Sequence, residues 1–206
     1  MQRPNDVLEF WFGTGPWDAT RLGERSLFWF GGDDAAATAA SDALIRERLE
    51  PLLERAARGE FASWAASPKR RLALILLFDQ VPRNAYRGTA AAFAFDREAL
   101  ALTVEGMQLA ADAALDPIER IFFYLPLEHA ESLEAQDAAV AAFARLTAEA
   151  PDDLRGYCQY CGDFARKHRD IIARFGRFPH RNRVLEREST DAEREWLAAG
   201  AENFGQ

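Results

Sequence analysis

The chain has 206 residues, 49% of them hydrophobic and 12% aromatic, with a formal charge of −8 from 33 acids and 25 bases. A chain of this length suits one domain, burying roughly 70% of its unfolded surface and needing neither disulfide nor metal to fold. The acidic balance excludes general nucleic-acid binding, whose affinity comes from many phosphate contacts.

Residues 1–6 have neither the basic nor the apolar region of a secretory signal, and the longest apolar run, 72–78, is far short of a membrane span. Two cysteines and no export signal point to a reducing compartment. The expectation is a cytoplasmic protein with no membrane or nucleic-acid partner.

Apolar residues recur at helical spacing, strict alternation is rare and alanine is abundant, which predicts an all-α fold. A first helix is predicted over 5–12, stopped by Gly13. Trp17, Leu27, Phe28, Trp29 and Phe30 follow in a glycine-punctuated region and are too many to be solvated, so they are expected to pack over the helices. A long helix runs from 34 to 57, with Pro51 as a kink and Gly59 as its stop. Ser67 and Pro68 open the next as N-cap and first-turn proline. From 72 to 78 every side chain is apolar, leaving no face for water, so this is a buried central helix.

Helices over 96–111 and from 116 follow, the second opened by Asp116, Pro117 and Glu119 and interrupted at Pro126. One more spans 127–148, and a long one opened by Pro151 ends at Phe175-Gly176. The capping box Thr190-Asp191-Ala192-Glu193 starts a short terminal helix. Nine or ten helices with short connections make an all-α bundle, taken as one domain over 1–206.

Several polar groups fall on faces that this periodicity turns inward. At 100° per residue, Leu154, Tyr157, Cys161, Phe164, Ile171, Ile172 and Phe175 form one stripe with His168 in its middle. From residue 127 onward, His129, Ser132 and Gln136 share a face with Leu133, Val140 and Phe143, with Glu128 at its edge and Glu131 beyond. Asp79-Gln80-Val81-Pro82-Arg83-Asn84 closes the apolar run. Pro82 must break or kink the helix there. The i,i+4 spacing can pair Asp79 with Arg83 and Gln80 with Asn84, and Arg87 lies one turn on. An aspartate directly after seven apolar residues is withdrawn from water and needs an arginine.

Phe175-Gly176-Arg177-Phe178-Pro179-His180-Arg181-Asn182 alternates aromatic anchors with polar groups. Gly176 suits a left-handed cap and Pro179 extends Phe178. That leaves Arg177, His180, Arg181 and Asn182 to turn toward a common polar region. Between Arg166 and Arg187 there are eight bases and two acids, so this block is +6 and the remainder −14. It either neutralises carboxylates of its own chain or receives an anion.

Cys158 and Cys161 form a lone C-x-x-C inside a helix, without the second pair that zinc requires. The spacing of His129, His168 and His180 matches no metal-ligand box, and there is no phosphate loop, dinucleotide fingerprint or nucleophile elbow. No cofactor or metal is expected.

The stretches 7–13, 59–64, 72–84 and 126–131 with Gln136, and His168 with 175–182, resemble domain-of-unknown-function family 924 over nearly the whole chain. The resemblance implies a TPR-like all-helical fold and carries no reaction and no catalytic residues. Glu186 departs from the family pattern, standing where a glycine is usual.

The expected site is a cationic pocket of Arg83, Arg87, Arg177 and Arg181 with His129, His168 and His180, joined by Asp79, Gln80, Asn84, Gln136 and Asn182. Its expected ligand is a small anion or an acidic peptide. The alternatives are a hydrolase using Glu128 or Glu131 with His129, or a TPR-like scaffold for partner proteins.

Overall fold

The computed structural model describes residues 3–200. Met1 and Gln2, part of the stretch read for a secretory signal, lie outside the described residues. Among those described there are ten α-helices and no strand, and no helix is long and apolar enough to cross a membrane. The helices are α1 (Pro4–Phe12), α2 (Ala19–Phe30), α3 (Ala35–Ala57), α4 (Pro68–Ile75), α5 (Val81–Ala85), α6 (Asp96–Gln108), α7 (Pro117–His129), α8 (Leu133–Glu149), α9 (Asp152–Phe175) and α10 (Asp191–Ala198).

The core lies where the apolar run predicts it. Every residue from 71 to 85 is buried, and α4 packs on α1, α6 and α7. Trp11, Trp29 and Phe122 meet edge-on nearby, the Trp29 and Phe122 rings 4.6 Å apart. The connection at Ala150 and Pro151 folds α9 back along α8. A Cβ added at Gly162 would stand 3.4 Å from Phe143 Cβ, so glycine sets how closely these two helices approach.

Three local expectations are corrected. First, the glycine-punctuated region after Gly13 is helix α2. Asp18 caps it by accepting the Arg21 N–H, and Leu22 and Trp29 form its buried face while Leu27 and Phe30 stand exposed. Second, of the break or kink expected at Pro82, the break does not occur. Residues Leu76–Gln80 widen into a π-turn in which the Val81 N–H reaches the Leu76 carbonyl five residues back, and α5 carries on through the proline. The wider turn absorbs the donor that Pro82 lacks.

Third, Pro126 does not interrupt α7, which continues to His129. The break falls at 130–132, where Ala130 is extended and Ser132 caps α8. Gln136 Nε2 fixes it there by donating to the carbonyls of Glu128 at 2.6 Å and Ala130 at 2.8 Å, satisfying backbone that the helix end leaves open. Ser132 and Leu133 consequently face solvent rather than the core, and Glu128 is buried rather than at an edge.

Gly176 adopts a left-handed φ of 70° as the C-cap of α9, as its position predicts. Glu186 has a φ of 53°, which explains why glycine suits that position. The terminal capping box of Thr190 and Glu193 forms as expected.

Candidate functional site

Asp79 leaves the π-turn at the end of the apolar run and is fully buried. Its Oδ1 lies 2.7 Å from His129 Nδ1 and 3.3 Å from Arg83 Nη1, and its Oδ2 accepts from Gln80 Nε2 at 2.6 Å. Burial pushes this carboxyl up, but the charge of Arg83 and the bonds from His129 and Gln80 outweigh it and hold it at about 2. The ionised Asp79 therefore receives the Nδ1 proton of His129. Nothing among the described residues bonds Nε2 of that ring, which lines a cavity. Burial and Arg83 push the imidazole below its ordinary value, so it is neutral near pH 7.

Arg83 forks onto Asp96, Nη1 to Oδ1 at 2.8 Å and Nη2 to Oδ2 at 3.0 Å, and also donates to the Asp79 carbonyl at 2.7 Å. Arg181 shares that aspartate at 3.4 Å and donates to the His129 carbonyl at 3.1 Å. Its guanidinium is held between two phenyl faces, 4.5 Å from the Phe93 centroid and 4.4 Å from that of Phe178. Burial, with Arg83 beside it, pulls Arg181 down to about 10.

Glu128, one residue before His129, is 4% exposed. Its Oε1 lies 3.1 Å from His168 Nδ1, which also donates to the Phe164 carbonyl at 2.9 Å. Burial, and then the charge of Asp79, push the Glu128 carboxyl up to about 8, so it is protonated at neutral pH. His168 is held well below its ordinary value by burial, and His180 is pushed down to about 4 by burial and Arg181.

These groups form one end of a cavity of about 690 Å³, lined by Gln80, Arg83, Asn84, Arg87, Glu128, His129, His168, His180 and Arg181. Its remaining wall is Gly23, Ser26, Leu27, Trp29 and Phe30 from α2 with Gly31 after it, Ile121 and Leu125 from α7, and Tyr157, Tyr160, Cys161 and Phe164 from α9. All three histidines of the chain line it. Cys161 remains a thiol, pushed well up by burial and by Glu128.

The structure brings Gln80, Arg83, Asn84, Arg87, His129, His168, His180 and Arg181 of the expected set to this cavity, but not every expected pairing forms. Asn84 does not meet Gln80; it donates to Asp42 at 3.0 Å and to the Trp29 carbonyl at 3.1 Å. Arg87 forks onto the same Asp42 at 2.7 and 2.9 Å. Asp79 and Gln136 stand behind the cavity and orient its lining without facing it.

Arg177 and Asn182 lie away from the cavity. Arg177 forks onto Glu193 at 2.6 and 2.7 Å, and Asn182 donates to Glu193 and Ser189. Glu131, a candidate base, accepts the Phe178 N–H at 2.8 Å and the Arg187 fork at 2.6 and 2.9 Å. These bonds clasp the C-terminal segment to the α7–α8 connection. Much of the basic block thus neutralises carboxylates of its own chain, with Arg169 on Asp137 as a further case.

Asp42 and Asp96 are the site residues that the sequence did not reveal. Each sits at a helix start or on a polar face, 45 and 13 residues from its arginine, where a capping or solvated role is the ordinary expectation. The apolar wall from α2 belongs to a helix that glycine punctuation conceals in the sequence. The i,i+7 pair Leu22 and Trp29 after the capping Asp18 was the available signal.

A family described as bacterial protein of unknown function (DUF924) matches residues 7–201. A solved structure of a protein of unknown function from Agrobacterium tumefaciens is similar at 36% identity and a TM-score of 0.77, over 96% of this chain and 97% of that one. No curated protein matches.

Proposed function

The chain belongs to the DUF924 family of bacterial proteins of unknown function, and from that premise we propose that it binds a small anionic ligand in the cavity between α2, α7 and α9. The observation that carries this is the convergence of Arg83, Arg87 and Arg181 with all three histidines on a single enclosed space. Arg181 is lowered first by burial and then by Arg83, with which it shares one aspartate. An anion entering beside Arg181 relieves that repulsion, and the guanidinium plane offers it a fork. A cytosolic setting goes with this reading, since Cys158 and Cys161 are one helical turn apart and both are free. Thermal shift across a library of anionic metabolites, at low and high salt, tests it. Salt-sensitive stabilisation by at least one member is expected, and none by any member contradicts it.

A second reading is favoured by one feature, the buried Asp79–His129 pair with Nε2 turned to the cavity. A neutral imidazole oriented by a carboxylate is a competent general base, and protonated Glu128 beside it is a competent acid. A hydrolase would use the two together on a bound ester or amide. Turnover by the wild type that His129→Ala abolishes distinguishes an enzyme from a binder, which turns nothing over in either form.

A further inference from the structure

We infer that the ligand has two unlike ends: an anionic head group seated beside Arg181 and the histidines, and an apolar alkyl body running along α9 to a mouth formed by α2. This rests on the anion-binding reading and names the chemical class of its ligand.

The cavity is polar around Arg181 and the histidines and largely apolar along α2 and α9, interrupted there by the Ser26 and Tyr157 hydroxyls, which bond each other at 2.8 Å. Along α9 the lining runs Tyr157, Tyr160, Cys161, Phe164 and then His168, so its character changes along the helix axis. The eight residue steps from Tyr160 to His168 correspond to roughly 12 Å of rise, the span of a medium-length alkyl chain.

Large apolar side chains stand exposed on this wall. Leu27 is 59% exposed, Phe30 44% and Tyr160 59%, and all three line this cavity. Contiguous exposed apolar surface at the mouth of a pocket marks a binding site rather than an incidental surface residue. Phe30 is held there by stacking on Phe122 at an interplanar angle of 2°. A free inorganic anion or a sugar phosphate has nothing to cover this surface.

Arg83 already holds Asp79 and Asp96, Arg181 holds Asp96 and Arg87 holds Asp42, so an anionic head group enters as a further partner of guanidiniums that are fixed in place.

Calorimetric titration of the full chain with straight-chain carboxylates from acetate to decanoate tests this, with the n-alkyl phosphates and n-alkanols of matching length as controls. Affinity is expected to rise about fourfold per methylene buried, with each carboxylate or phosphate tighter than its alcohol. In the variant Leu27→Ser/Tyr160→Ser, which alters two exposed side chains, the rise per methylene is expected to flatten. Short and long carboxylates of equal affinity would overturn this inference while leaving the anion-binding reading intact. Alcohols binding as tightly as the anions of matching length would overturn it through the head group. If only unrelated anions bind, this inference fails alone; if no anion binds, both fail.

Discussion

His129 Nδ1 lies 2.7 Å from Asp79 Oδ1, joining the π-turn after the apolar run to the C-terminus of α7 across 50 residues of sequence. This contact fixes the imidazole tautomer, because an ionised carboxylate only accepts. It also turns the other ring nitrogen toward the cavity. The arrangement of His129 and Arg83 around one buried charge is the centre from which the remaining site contacts are built.

Removing that charge strands Arg83, which is itself buried and keeps only Asp96 as its carboxylate partner. Asp79→Ala is expected to lower stability by about 3–5 kcal/mol, the cost of breaking a buried pair from one side. Urea denaturation at neutral pH measures it. A loss below about 1 kcal/mol would place Asp79 in solvent and contradict the buried pair.

Glu128 gives the stability a distinctive pH dependence. Its carboxyl ionises near 4.5 when unfolded and near 8 when folded, so the folded chain holds an extra proton between those values. Stability from this group is complete below 4.5 and is lost as pH rises toward 8. The histidines act in the opposite sense, but only below 6.5, since both His129 and His168 are lowered from that value. Cys161 and Asp79, which also face Glu128, have unfolded values of 9.0 and 3.8, on either side of the window. From pH 6.5 to 8 the wild type is therefore expected to lose about 2 kcal/mol through Glu128, and Glu128→Gln to stay nearly flat. Parallel slopes in the two proteins would mean that Glu128 is ionised throughout.

Glu131 holds the C-terminal segment by accepting both the Phe178 N–H and the Arg187 guanidinium. In Glu131→Ala, hydrogen exchange is expected to quicken at Phe178 and through 182–187, with the amides of α4 unchanged. Unchanged protection at Phe178 would show that this carboxylate does not clasp the segment.

How much of this was legible beforehand depends on whether the signal was local. The run from 72 to 78 has no polar face at any periodicity, so its burial followed directly. His168 was placed inward by counting along one uninterrupted helix, and the structure confirms its burial. Counting failed where it crossed a break. Starting a helix at 127 instead of 133 turned Ser132 and Leu133 inward, because Gln136 anchors the α7 terminus through contacts that carry no periodic signature. Arg177 looked equivalent to Arg181, four residues on. Only the path of the chain around Pro179 sends one to Glu193 and the other between Phe93 and Phe178.

The central claim is that remote segments build one cavity for an anion, and the chain offers a direct probe of it. Its three histidines all line that cavity, so the histidine ring signals in a proton–carbon correlation spectrum report on nothing else. Titration with the most stabilising anion of the library is expected to move the signals of His129, His168 and His180 together and saturably, and Arg181→Gln is expected to abolish the movement. Ring signals that stay fixed while an anion saturates the protein would place its binding elsewhere and contradict the claim.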